Sequence, residues 1–236
     1  MNRVRSEILI VLAVTFGMSG LRSLLRLVDG LLNPAPLSAQ SVTLNASQSD
    51  LAWLDIALQL CSAGVLFSWG ALALFLLQRS LPRPQLSDAA SSPALALLIG
   101  VPGLALYITA LHFGWTKEVV PTDFSTPWAE VPALLVWSAA NAFAEETVVV
   151  FWFISRLRQL RISPWTAIAA SAVLRGSYHL YQGVSAGFGN LAMGLIFGYY
   201  FHKTGRVWPL IIAHFLIDAV AFVGYAFLPN LDLLRI

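Results

Sequence analysis

Residues 136–154, VWSAANAFAEETVVVFWFI, read as one apolar helix with two adjacent glutamates, Glu145 and Glu146, at its centre. The run is close to the ~20 residues that cross the hydrocarbon core of a bilayer. A charged side chain at the middle of such a helix costs roughly 2.5–3.5 kcal/mol on insertion scales. An isolated apolar helix gains nothing from two buried carboxylates, so something must face them. The sequence to either side shows what that is.

The rest of the chain is equally apolar. Of its 236 residues, 58% are hydrophobic and 11% charged, against about 25% charged in a soluble domain, and the mean hydropathy is +0.73. A soluble fold of this length cannot hide so much apolar surface, so the bilayer is the solvent. Apolar segments fall at about 7–28, 51–78, 94–114, 129–155, 164–183, 188–202 and 207–228, several of them near the ~20 residues of a spanning helix. The shortest, 188–202, gains length if it continues back through the Gly-rich stretch before it. The pattern predicts an all-α, polytopic transmembrane bundle of about seven spans (six to eight). It is one integrated membrane domain, with N-terminal helices and loops over 1–128, a helical core over 129–228 and a short tail at 229–236. Polar, Pro-containing stretches at 33–50, 79–93 and Trp115–Trp128 separate the segments, the last reading as an interfacial loop with aromatic ends. No sequence repeat marks paired transporter halves. The first 30 residues show no small-residue cleavage site, and Arg22 and Arg26 follow the apolar run, so an uncleaved first helix is expected.

The basic residues alternate with the segments. Arg3/Arg5, Arg79/Arg83, Arg156/Arg158/Arg161 and Lys203/Arg206 fall on one side of a seven-span chain. Lys117 and Arg235 fall on the other, with Arg22 and Arg26 if the first helix ends early. This bias predicts a cytoplasmic N-terminus and an external C-terminus. The formal net charge of +2 is too small to suggest nucleic acid, and the single cysteine, Cys61, excludes an internal disulfide.

A small set of ionisable residues lies at membrane depth, all in the second half, and outside it the predicted spans are nearly free of charge. Arg175 and His179 are four apart on one segment, and His214 and Asp218 four apart on the last, so each pair shares a helix face. Measured from the Arg156 side, Glu145 and Asp218 lie about ten residues in, His214 about six and His179 about fifteen, at 1.5 Å per residue. Three helices therefore place polar groups in overlapping layers near mid-membrane. A lone intramembrane histidine is more often a helix–helix hydrogen-bonding residue than a catalyst, and that reading fits His214 or Asp218 alone. It does not explain the whole set. His112 and His202 sit at segment ends and read as interfacial, like Trp115, Trp128, Trp152 and Trp208.

The cluster suits amide hydrolysis, which needs a base to activate water and donors for the developing oxyanion. A buried glutamate can serve as the base, with one histidine orienting the water and another facing the carbonyl. Alternatively, Glu145, His179 and His214 form a ligand set for Zn²⁺ with an open position for water. The H-E-x-x-H zinc motif is absent. Both schemes stay open at this point.

With these residues in hand, the second half resembles the CAAX-protease and bacteriocin-processing (Abi) family of membrane endopeptidases, which includes the type II CAAX prenyl endopeptidases. The family pattern is E-E-x-x-x-R, then F-x-x-x-H, then H-x-x-x-N or H-x-x-x-D. Here it is Glu145-Glu146 through Val150, Arg175 through His179, and His214 through Asp218. The resemblance covers about residues 129–225 and implies that Glu145 and His179 activate water. It also implies that His214 and Asp218 shape the oxyanion site or contribute to metal binding, and that Glu146 supports them. Two positions depart from the pattern. Val150 stands where the first motif has arginine, and Arg175 where the second has phenylalanine, so the charge has moved to the neighbouring helix. Arg175 is expected to pair with Glu146 across the helices.

The expected partners are the lipid bilayer and a membrane-associated peptide or protein substrate. The compactness of the chain points to a bacterial inner membrane. Two other readings use the same residues: a non-catalytic member serving as a membrane scaffold or in immunity, and an ion-coupled transporter relaying charge through the buried carboxylates. The missing repeats and the concentration of polar residues in one half weigh against the transporter.

Overall fold

In the computed structural model, residues 3–120 and 127–224 are described. The helices are α1 (Arg3–Val14), α2 (Phe16–Leu32), α3 (Ala52–Leu77), α4 (Leu86–His112), α5 (Pro127–Glu145), α6 (Phe153–Gln159), α7 (Pro164–His179), α8 (Val184–Thr204) and α9 (Trp208–Ala219). A π-helical stretch, Glu146–Trp152, joins α5 to α6 without a break, and a second, Val220–Gly224, extends α9. The all-α architecture carries one small addition, a parallel pair of strands β1 (Ser41–Thr43) and β2 (Glu118–Val120). Residues 121–126 of the expected interfacial loop, the tail at 229–236 and Arg235 lie outside the described residues.

Among the described residues, four helices are long and apolar enough to cross a bilayer: Ala52–Leu77, Leu86–His112, Pro127–Gln159 and Val184–Thr204. A fifth appears if the bent pair α1–α2 counts as one span. This integral membrane architecture has fewer full-length spans than the seven segments expected. The segment expected at 164–183 stops at His179, giving α7 16 residues. There Leu180–Gln182 tightens into a 3-10 turn and Gly183, at φ 130°, turns the chain in a conformation that side chains disfavour. The helix Trp208–Gly224 is also short. In contrast, α8 extends back through the Gly-rich stretch to Val184, which gives it 21 residues. The first segment is not one straight helix. It bends by 48° between α1 and α2, where the Thr15 hydroxyl donates to the Val11 carbonyl at 2.6 Å, a back-bond that bends helices.

Polar contacts tie the basic clusters together at one end of the bundle. Arg156 Nε donates to Glu7 of α1 at 2.6 Å, and its guanidinium also reaches the Leu76 carbonyl at the end of α3. Arg206, just after α8, pairs with Asp88 in the first turn of α4, and Trp208 Nε1 donates to the Pro82 carbonyl at 2.6 Å. The segments next to Arg3/Arg5, Arg79/Arg83, Arg156–Arg161 and Lys203/Arg206 therefore meet on one face. At the opposite end, the α7–α8 corner meets the chain leaving α4, with Lys117 N bonded to Gln182 O at 2.9 Å and Val184 N to Trp115 O at 3.1 Å. Ser23 of α2 closes the same corner by accepting from Tyr181 N at 2.6 Å.

The α7–α8 pair packs through small residues. A Cβ on Gly194 would lie 2.7 Å from Ala172 Cα, and one on Gly176 would lie 2.7 Å from the Gly187 carbonyl. Lipid tails are as apolar as leucine, so close backbone approach of this kind is a main source of helix association within a bilayer.

Candidate active site

The glutamate pair sits where the helix changes register. Glu145 ends α5 and Glu146 begins the π-helical stretch, followed by Val148-Val149-Val150. β-Branched residues crowd an α-helical turn, and the wider π turn accommodates one extra residue at the cost of regular hydrogen bonding. The Ser171 hydroxyl of α7 donates to the Val149 carbonyl at 2.7 Å, giving a backbone group in this stretch a partner on the next helix. Successive residues point in directions about 100° apart on a helix, so two adjacent glutamates can both be buried only when different neighbours face them. Glu145 meets α7, and Glu146 lies between α7 and α9.

Arg175 is the hub. It is fully buried, with Nη2 2.6 Å from Glu146 Oε1 and Nη1 3.5 Å from Glu145 Oε2. Its guanidinium carbon stands 5.7 Å from the Phe197 ring centre, a cation–π contact from α8, and Nη1 also lies 3.6 Å from Met193 Sδ. The expected pairing of Arg175 with Glu146 is thus present in the structure. Val150, at the motif position where the family has arginine, is buried and apolar.

The network runs on from both carboxylates. Glu146 Oε1 also accepts from His214 Nδ1 at 2.7 Å, and His214 Nε2 lies 3.6 Å from Asp218 Oδ1. Asp218 Oδ2 accepts from Asn141 Nδ2 on α5 at 2.9 Å, which brings the chain of contacts back to the glutamate helix. Glu145 Oε2 accepts from the Tyr178 hydroxyl at 2.6 Å. His179, half-buried at the end of α7, has Nδ1 3.1 Å from the Arg175 carbonyl. A carbonyl only accepts, so Nδ1 carries the hydrogen, and the neutral ring keeps its lone pair on Nε2. Five of the six residues expected at the site therefore meet through their side chains, around three carboxylates and one permanently charged cation, and His179 adjoins them through the Arg175 carbonyl.

The donor set was also matched against a metal ion. Among the described residues, no three His, Cys, Asp or Glu side chains are grouped so as to hold one. The place a cation would take between the glutamates is filled by the Arg175 guanidinium, and His214 Nδ1 is turned to Glu146. The arrangement does not fit zinc held by Glu145, His179 and His214.

Residues 127–220 match a family model described as type II CAAX prenyl endopeptidase Rce1-like. This segment is similar to that family. The Rce1-like segment holds all six residues and covers α5 through α9, the same part of the chain in which the sequence motifs were found. No curated protein and no solved structure matches the chain.

Two members of the network are not evident from the motifs. Asn141 lies one turn before Glu145 on the same face, and its position as a polar residue in an apolar run is the signal that would find it. Tyr178 reads as an ordinary aromatic neighbour of His179. Its hydroxyl role depends on how α7 rotates against α5, which sequence spacing alone does not encode.

Proposed function

We propose that the protein is an intramembrane endopeptidase that cleaves a membrane-associated peptide or protein, its substrate a prenylated protein ending in a Cys-aliphatic-aliphatic-X sequence. The observation that carries this reading is the convergence of Glu145, Glu146, Arg175, His179, His214 and Asp218 into one buried network inside the Rce1-like segment. Neutral polar side chains commonly hydrogen-bond across membrane helices, whereas ionisable residues within a membrane bundle mark functional sites. A network of three carboxylates, one arginine and two imidazoles is the composition expected of a hydrolytic centre.

In this mechanism Glu145 takes a proton from water, and His179 orients the same water through the lone pair on Nε2. The hydroxide oxygen adds to the scissile carbonyl carbon, and the carbonyl π electrons move onto oxygen. The tetrahedral adduct collapses with cleavage of the C–N bond, and the proton held by Glu145 passes to the leaving nitrogen. His214, with Nδ1 anchored by Glu146 and Nε2 turned to Asp218 Oδ1, shapes the side of the site that receives the carbonyl oxygen. Arg175 holds both glutamates in place. No step passes through a metal ion. The basic end of the bundle faces the cytoplasm, with α1–α2, α7 and the Trp208–Gly224 helix completing a seven-span topology.

The test uses the full chain, purified in detergent, with an internally quenched prenylated CAAX peptide. Wild-type protein should cleave it, and Glu145→Gln and His179→Ala should each lose at least about 10²-fold, the lower range for a general base. Activity should survive 1,10-phenanthroline, without stoichiometric zinc by elemental analysis. Unchanged cleavage in both variants sinks the assignment. A folded wild-type protein that cleaves nothing points instead to the scaffold reading.

A further inference from the structure

We propose that Asn141 is a further catalytic residue of this site, donating one amide N–H to the developing oxyanion while the other holds Asp218. The proposal rests on the endopeptidase reading above.

An oxyanion needs donors, and Asp218 as a carboxylate has none to give. A negative group beside the carbonyl oxygen raises the barrier unless it is turned away and its charge engaged. Asn141 meets both needs. Its Nδ2 donates to Asp218 Oδ2 at 2.9 Å, and Asp218 Oδ1 faces His214 Nε2 at 3.6 Å, so both carboxylate oxygens are directed at donors on α5 and α9. A carboxamide nitrogen carries two hydrogens. Only one of them is used among the described residues, which leaves the second for a substrate carbonyl.

The placement supports this. Asn141 is four residues before Glu145, on the same face and about one helical pitch, roughly 5.4 Å, away. A peptide group lying across that face would put its carbonyl carbon near the water held by Glu145 and its oxygen toward Asn141. Asn141 is also half-buried where Glu145 is nearly closed off, 3% exposed, so it stands on the approach side of the network. During attack the electron pair displaced from the carbonyl goes to oxygen and is met by the Asn141 N–H. On collapse it re-forms the carbonyl as the C–N bond breaks, and Asn141 neither gains nor loses a proton.

The experiment compares Asn141→Ala, Asn141→Leu and the double variant Asn141→Ala with Asp218→Asn, in detergent, on the same prenylated CAAX peptide. Loss of one oxyanion donor should lower kcat about 10²–10³-fold, with KM nearly unchanged in both single variants. The double variant restores a carboxamide from α9 and should regain at least about tenfold of the lost kcat. If Asn141 only held the Asp218 carboxylate in position, the double variant would stay as slow as Asn141→Ala. Asn141→Leu matches asparagine in size without adding a charge beside Asp218 and replaces Asn141→Ala if the latter does not fold. Wild-type kcat in a folded Asn141→Ala or Asn141→Leu, or no recovery in a folded double variant, overturns the proposal while leaving the endopeptidase reading intact. A folded wild-type protein that cleaves no peptide, under conditions where no variant does either, removes both together.

Discussion

Replacing Arg175 with methionine is the sharpest test of how the buried centre is held. Arg175 is fully enclosed and contacts Glu146 at 2.6 Å and Glu145 at 3.5 Å, each of these carboxylates nearly or wholly shielded from water. Removing one partner of a buried ion pair costs about 3–5 kcal/mol, because the charge left behind has no compensation. Here two carboxylates lose their shared cation, retaining the Tyr178 hydroxyl on Glu145 and His214 Nδ1 on Glu146. At about 2–4 °C per kcal/mol for a chain of this size, the melting temperature should fall by roughly 6–20 °C. The companion variant Glu146→Gln also unbalances the centre, whereas the double variant Arg175→Met with Glu146→Gln removes both charges of the closest pair. The double should therefore be less damaging than the sum of the singles, with a coupling of about 0.5–3 kcal/mol. Thermal melting in detergent gives the stabilities, and peptide cleavage below the melting temperature gives the activity. A fully stable and active Arg175→Met protein, or additive single effects, would refute the idea that this arginine took over the charge missing at Val150.

Other perturbations separate the parts of the structure. Tyr178→Phe leaves Glu145 Oε2 without its hydroxyl donor and should cost about 1–3 kcal/mol, read as roughly 10–100-fold slower cleavage in a folded protein. Gly194→Leu forces a side chain into Ala172, 2.7 Å from where its Cβ must sit, so it should part α7 from α8, displace Arg175 and abolish cleavage. Gly103→Ala, where a Cβ meets nothing within 4 Å, should leave cleavage unchanged, and equal damage in both would discard the packing argument. Glu7→Gln removes the carboxylate that accepts from Arg156 Nε at 2.6 Å and Trp152 Nε1 at 3.1 Å. It should lower the melting temperature by several degrees while leaving kcat measured well below it near wild type.

The features that depend on free energy of burial were legible in the sequence. Charges are rare in this chain because the bilayer makes them costly, so Glu145, Glu146, Arg175, His179, His214 and Asp218 stood out, and their spacing along three helices placed them at one depth. The Arg175–Glu146 pair followed from the family resemblance, whose motif arginine is Val150 here while a charge stands on the neighbouring helix at Arg175. Features that depend on local geometry were not legible. The bend comes where the backbone of Thr15 leaves the helical region, at φ −125° and ψ −125°, and hydropathy does not distinguish it from a straight span. The early end of α7 comes from Gly183 and a tightened turn within a segment that stays apolar to residue 183. Asn141 was passed over because a single amide in an apolar run is common between membrane helices, and only its distance to Asp218 gives it meaning. The rotation that brings Tyr178 onto Glu145 is a property of the packed pair of helices, not of either sequence.

The widened turn between Glu146 and Trp152 has a consequence for insertions and deletions. Upstream of it, the helix presents its carboxylates to α7 and α9. Downstream, the same helix presents Trp152 and Arg156 to Glu7. The two faces are in phase only because one surplus residue is absorbed in between. A chain shortened by one position among the valines would regain regular pitch with both faces still in phase, whereas loss of a second position would rotate one end against the other by about 100°. The helix could then satisfy the glutamates or the Glu7 anchor, but not both. Loss of one residue at 148–150 should therefore be tolerated far better than loss of two.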